Sequence, residues 1–227
     1  MSLFFPNGIF LKDFYNGRTL NIFSDASMIK GLHSYIGCYG SIAVTCDDII
    51  DQHYSISSYT TTPACELRGI RSSIIFAIKY GYGFETINIF SDSQISIYSI
   101  REYMFKWKIH DGNFYTGGGT VAKNGSLIME CHRLLQHQDL QNKQVNLLHQ
   151  LGHINTAKYD DLIKSSSEFS AANNVVGTID LNFIRYIASY NNMVDHQSRS
   201  ILRRANKRNN YEDAIEFEID KRFIKQN

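Results

Sequence analysis

The chain has 227 residues, 23 Lys+Arg against 22 Asp+Glu, and 43% hydrophobic and 13% aromatic content. That length holds one domain with insertions and a core that needs no staples. The aromatic content excludes wholesale disorder, and two prolines exclude a proline-rich or collagen-like scaffold. A net charge of +1 gives no global pull toward nucleic acid or anionic lipid, so such binding falls to a local patch.

Met1–Leu11 is apolar but interrupted by Asn7 and Gly8, and it lacks the basic start of a signal peptide. Thr19–Ser24 is short, apolar and β-branched, the pattern of a strand, and it runs into Asp25. Gly31–Val44 and Ile49–Tyr59 alternate around a Thr45–Asp48 turn, so the opening reads as three strands of an antiparallel meander. From Thr62 to Tyr80 the period changes. Leu67, Ile70, Ile74 and Ile78 recur at three and four, which predicts a helix packed on the sheet, opened near Pro63 and stopped by Gly81 and Gly83. Glu85–Ser91 is a second strand ending in Asp92, and the strand–helix–strand order predicts a crossover and a parallel pairing with the first.

Ser93–Lys108 reads as a helix, Asp111–Gly125 as a glycine-rich loop and Ser126–His137 as a further helix. Gly117-Gly118-Gly119 lacks the spacing of a phosphate-binding loop. The spacing predicts a mostly helical insertion around 141–174, a late strand over Thr178–Ala188 and a late helix over Met193–Lys207. No run approaches the ~18 apolar residues of a membrane helix. Cys38, Cys46, Cys65 and Cys131 form no C-x-x-C pair, so reduced thiols in a cytoplasmic chain, with no membrane and no organic cofactor, are the expectation.

Two strands end alike, in Ile22-Phe23-Ser24-Asp25 and Ile89-Phe90-Ser91-Asp92. Such a carboxylate sits at the carboxyl edge of the sheet, where parallel strands carry their sites. Taken singly, either is an ordinary turn or helix cap. Glu66, beside the buried stripe of the first helix, would bring a third acid to the same edge. Three converging carboxylates repel one another unless a cation neutralises them, and hard oxygen donors without clustered Cys or His point to Mg²⁺, with Mn²⁺ able to substitute.

These residues resemble the ribonuclease H family of the hybrid-cleaving type. Its strand ending in Asp-x-Ser reads here Asp25-Ala26-Ser27, its helix opening with Glu-Leu reads Glu66-Leu67, and its strand ending in Asp-Ser-Gln reads Asp92-Ser93-Gln94. The fourth family acid matches Asp195 within Asn191-Asn192-Met193-Val194-Asp195-His196-Gln197-Ser198-Arg199, there opening the last helix. The match covers about Asn21 to Leu135, plus this last motif.

The resemblance implies a single domain over 1–227 with a mixed five-stranded sheet, an antiparallel meander plus parallel strands, flanked by helices. It implies two Mg²⁺ ions ~4 Å apart, held by Asp25, Glu66, Asp92 and Asp195 as ligands and catalytic residues, and an RNA–DNA hybrid as substrate. Thr61 would meet a DNA-strand phosphate and Gln94 the minor groove near the 2′-hydroxyl. Lys106, Trp107 and Lys108 would hold the DNA strand, and Asn124 lies in the loop before the next helix. Trp107 is placed ~22 Å along a continuous helix from Asp92.

Ala26 stands where the family has Gly, and Pro63 where it has Asn. His153, in Gln150-Leu151-Gly152-His153, matches the family's histidine, yet 42 positions separate it from Asp195. Either an insertion lies inside that loop, or Thr178–Ala188 is the final strand and the histidine is absent. The second reading is preferred, with His149 and His153 as polar members of an added helix. Asp160-Asp161 is a weaker candidate for the last motif, since no strand precedes it. The cations Arg199, Arg203, Arg204, Lys207 and Arg208 form a solvated face that begins beside the site and could meet phosphates. The acidic residues of a charged tail, 209–227, could instead pair with them. A structure-specific DNA nuclease (junction resolvase or exonuclease) and a non-catalytic nucleic-acid-binding module are the alternatives.

Overall fold

A computed structural model describes residues 17–30, 35–45, 48–58, 60–111, 113–175 and 177–208. The expectations for Met1–Leu11, Cys46 and the tail 209–227 lie outside the described residues. Strands β1 (Thr19–Lys30), β2 (Tyr35–Thr45) and β3 (Asp48–Ser58) form the antiparallel meander. β4 (Thr86–Ser91) adds to β1 in parallel and β7 (Gln144–His149) adds to β4 in parallel, giving the order β3-β2-β1-β4-β7. β1 does not end at Asp25. It continues to Lys30 with β2 as its partner, while its pairing with β4 stops at Ser24↔Ser91.

Alternation sorts the sheet's side chains onto two cores. Leu20, Ile22, Ile87, Ile89, Val145 and Leu147 face one helical layer. That layer is α1 (Thr62–Tyr80), α2 (Gln94–Arg101) and α3 (Gly125–Leu135). Phe23, Phe90 and Leu148 face the other layer, α4 (Tyr159–Asn173) and α5 (Leu181–Arg208). Phe23 and Phe90 stack with ring centroids 4.8 Å apart. One register step below them, the side chains of Asn21, Asn88 and Asn146 link the three parallel strands through hydrogen bonds of 3.0 and 2.8 Å. The ladder pairs most of its amide groups in a layer that is otherwise apolar, leaving Asn146 Oδ1 without a partner.

Three expectations from the sequence are corrected. The final strand is β7, not Thr178–Ala188, so segment 141–174 divides into β7 and α4. The alternation Ile179, Leu181, Phe183 imitates a strand, but Phe183, Ile187, Val194, Ser198 and Leu202 are all buried at helical spacing. Asp180 starts the helix, its carboxylate accepting from Asn182 N at 2.9 Å. Second, Asp195 lies in the middle of α5 rather than at its opening. Third, the helix after Asp92 stops at Arg101 and is followed by a short 3₁₀ turn, Tyr103–Lys106. Beyond it the end of the expected helix and the start of the expected loop pair as a small hairpin, β5 (Lys108–His110) with β6 (Asn113–Tyr115). The aromatic and β-branched density of that stretch favours extended chain over helix. No helix among the described residues is long and apolar enough to cross a membrane.

Candidate active site

Asp25 sits one residue past the last β1–β4 pair, and Asp92 directly after the last residue of β4. Both carboxylates therefore emerge at the edge where the parallel strands stop. Glu66 reaches the same edge from α1. Thr61 caps that helix, its hydroxyl accepting from Ala64 N at 3.4 Å, and Pro63 occupies the first turn, where no amide donor is needed. The first turn of α1 lies close on the sheet because residue 37 is glycine: a Cβ there would sit 2.5 Å from Cys65 Sγ. Ligand oxygens of Asp25, Glu66 and Asp92 all lie within 4.8 Å of one another.

This trio is poorly compensated. Asp25 is 3% exposed and Glu66 8% exposed. Asp25 Oδ1 accepts from Ala26 N, but Asp25 Oδ2 and Glu66 Oε2 are buried without a hydrogen-bond partner. Burial, and then the neighbouring charges of Asp92 and Asp195, push Asp25 up to about 8. Glu66 is raised well above the usual carboxylate range by burial, and then by Asp92 and Asp25. Asp92 is raised by burial too. Orphaned carboxylate oxygens facing one another are the donor set a hard divalent cation satisfies.

Asp195 reaches the cluster from α5 with partners of its own. Ser27 Oγ donates to its Oδ1 at 3.2 Å, Arg199 Nε lies 2.7 Å from the same oxygen, and His153 Nδ1 lies 3.6 Å from Oδ2. Arg199 Nη2 is also 3.4 Å from His153 Nε2. His153 is therefore at the site, and the preferred expectation that the chain lacks this histidine is overturned. His149 is the last residue of β7, and His153 stands in the following turn with φ 55°. Asn173 of α4 clips the end of β7, accepting from His149 N at 2.9 Å and donating to His149 O at 2.7 Å. The inserted helix thus supports the turn that carries His153.

Gly152 in that turn is required by proximity, since a Cβ there would fall 2.2 Å from Asp92 Oδ2. Asp25, Glu66, Asp92, His153, Asp195 and Arg199 line an open cavity of about 430 Å³, with Met28, Ile29 and Leu202 as its apolar wall.

The sequence marks Gly152 only as part of the Gln150–His153 motif and Arg199 only as the first cation of a face beside the site, not as a partner of Asp195. For Arg199 the signal was its i,i+4 spacing from Asp195 on one helix. Asp160 and Asp161 lie in the first turn of α4, where acids suit the helix dipole. The expected substrate contacts are spread around the site. Thr61 and Gln94 are exposed at the starts of α1 and α2. Lys106 and Lys108 are exposed, while Trp107 between them is half-buried on the α1–α3 core, 6.4 Å from Phe114. Asn124 precedes α3 in the left-handed conformation at φ 60°, one that asparagine tolerates.

No family model matches the sequence, and no curated protein matches it. Solved structures do match. The foamy viral protease–reverse transcriptase in complex with an RNA/DNA hybrid superposes with a TM-score of 0.50 at 12% identity, over 75% of this chain and 20% of that chain. The solution structure of the prototype foamy virus RNase H domain gives 0.49 at 16% identity, over 70% and 96%. The N-terminal RNase H domain of a Mycobacterium tuberculosis protein gives 0.43 at 16%, over 69% and 96%. The chain thus spans 20% of the length of the first of these. At such identities the likeness is one of fold. With its strand order, parallel and antiparallel pairings and two helical layers, the chain has a ribonuclease H-like fold.

Proposed function

We propose that the chain is a divalent-metal-dependent nuclease of the ribonuclease H type that hydrolyses the RNA strand of RNA–DNA hybrids, with Mg²⁺ as cofactor. The observation that supports it most is the convergence of Asp25, Glu66 and Asp92 within 4.8 Å at the carboxyl edge of this fold, with two buried oxygens unpartnered. Asp25, Glu66, Asp92 and Asp195 would hold the cations. Divalent ions held there would supply a water nucleophile near neutral pH and charge stabilisation at the phosphate and the leaving 3′ oxygen.

The chain's own groups do the rest. Ser27 and Arg199 fix the orientation of the Asp195 carboxylate. His153, exposed beside Asp195, can accept or return a proton on its ring at the mouth of the cavity. The Thr61 hydroxyl oxygen accepts from Ala64 N with one of its lone pairs, which leaves its O–H to donate to a phosphate. Gln94 is offered as the reader of the 2′-hydroxyl, the group that marks RNA from DNA. Lys106, Trp107, Lys108 and Asn124 are offered as contacts to the DNA strand.

The test is a comparison at equal Mg²⁺ of an RNA–DNA hybrid, duplex DNA and a four-way DNA junction. Cutting confined to the RNA strand of the hybrid is expected. Preference for the junction or for duplex DNA would overturn the hybrid assignment in favour of a structure-specific DNA nuclease.

A further inference from the structure

The carboxylate cluster has an electrostatic problem that the chain solves on α5. Four acids at one edge repel a polyanion, and a net charge of +1 provides no compensating field from the rest of the molecule. After Asp195, α5 contains no further acid, and it carries Arg199, Arg203, Arg204 and Lys207. Arg199 is occupied with Asp195. Arg203, Arg204 and Lys207 are exposed and make no ion pair among the described residues.

The buried side of the helix sets the direction in which they project. Val194, Ser198 and Leu202 are buried along the underside of α5, and Leu202 packs on Ile36 and Cys38 of β2. The cations project from the same stretch of helix into a groove of about 300 Å³, and that groove shares Asp195, Arg199 and Arg203 with the cavity of the site. From Asp195 to Lys207 the helix rises ~18 Å, the axial length of about five nucleotides of one strand at ~3.4 Å each.

We infer that the Arg203–Arg204–Lys207 face of α5 is a second nucleic-acid contact surface. It takes the sugar-phosphate backbone that flanks the phosphate held at the carboxylates. This inference rests on the ribonuclease reading for the identity of the bound strand. The surface lies on the α4–α5 side of the sheet, opposite the layer that carries Lys106 and Lys108, so the two grips hold different parts of one duplex. Arginine suits the role because its planar fork pairs with phosphate oxygens two at a time.

The experiment compares the full chain with an Arg203→Gln, Arg204→Gln, Lys207→Gln variant, both also carrying Asp92→Asn so that a hybrid is bound but not cut. Affinity is measured between ~50 and ~200 mM salt. The triple variant should bind ~10-fold or more weakly at low salt and lose about two to three from the slope of log K against log salt. Placed in the otherwise wild-type chain, the same three changes should raise KM far more than they lower kcat at saturating hybrid.

Equal affinity and equal slope would overturn the inference while leaving hybrid cleavage, and with it the ribonuclease reading, intact. A chain that cuts no hybrid yet loses slope in the triple variant would overturn the ribonuclease reading and keep the surface. A difference that emerges only after Glu212, Asp213, Glu216, Glu218 and Asp220 are changed to their amides would assign the surface to the chain's own tail, and would overturn the inference too.

Discussion

The two sides of the candidate site are built on opposite electrostatic principles. On the β1–α1–β4 side, Asp25, Glu66 and Asp92 are driven together with buried oxygens unpartnered and proton affinities raised. On the α5 side, Asp195 is met by Ser27, Arg199 and His153. A fold that can supply three partners to one carboxylate has left two buried oxygens of the neighbouring trio, Asp25 Oδ2 and Glu66 Oε2, without any. The trio could hold a cation, whereas at Asp195 the chain supplies its own compensation. Uncompensated buried charge is costly, so the bare side is the one whose behaviour should change most when a metal or a charge is added or removed.

The largest effect is expected from Asp92→Asn, which keeps the shape of the side chain and removes its anion. Hybrid cleavage should fall on the order of 10³-fold or more, as when one member of an interdependent catalytic set is lost. Thermal unfolding should show the variant at least as stable as the parent, because repulsion on the bare side is relieved. A variant that unfolds earlier would show that Asp92 is compensated after all.

Gly152→Ala sharpens the comparison without changing any charge. The new methyl would press on Asp92 Oδ2 and shift the carboxylate. Misplacement of ~1 Å costs on the order of 100-fold in rate, so activity measured at saturating Mg²⁺ should drop far more than stability does. On the compensated side, His153→Ala should cost only ~10-fold, the range of groups that orient a ligand. Divalent-cation affinity, read by calorimetry, should be nearly unchanged in that variant.

Stability against pH gives a fourth test. Asp25, Glu66 and Asp92 hold protons more tightly in the fold than in the unfolded chain, so their contribution is fully present below pH ~4. It is lost as pH rises through the raised values, about 8 for Asp25. The metal-free chain should therefore melt earlier at pH ~8 than at pH ~5, and Mg²⁺ should raise Tm more at the higher pH. Asp25→Asn should flatten that dependence. The smallest effect belongs to the distant grip. Lys106→Ala with Lys108→Ala should raise KM and reduce the salt slope by roughly one to two phosphate contacts, with stability untouched. Identical slopes would return both lysines to ordinary surface.

What the sequence made legible follows the same division. The bare trio announces itself because each acid ends or borders an apolar run of strong β or helical period: Ile22-Phe23-Ser24-Asp25, Ile89-Phe90-Ser91-Asp92, and Glu66 beside Leu67 and Ile70. The compensated side was harder to read. β7 is six residues, Gln144–His149, buried nearly throughout and containing two leucines, so it carries neither alternation nor β-branched density. The start of α5 carries an accidental alternation that imitates a strand. Displacing the last strand to Thr178–Ala188 also displaced Asp195 to a helix start and removed His153 from the site. The sequence does show the gap of 42 positions between His153 and Asp195. It is filled by α4, whose Asn173 holds the end of β7 in place.

The claim that the bare trio is a cation site serving hydrolysis of RNA is tested most directly by a strand-resolved cleavage assay. An RNA–DNA hybrid labelled on each strand is given to the full chain with Mg²⁺, with chelator, and with Asp92→Asn in place of the parent. RNA fragments ending in a 3′-hydroxyl are expected with Mg²⁺ alone, with an intact DNA strand throughout and no fragments with chelator or with Asp92→Asn. RNA cleavage that persists in chelator, or that survives Asp92→Asn at the parent rate, would contradict the claim.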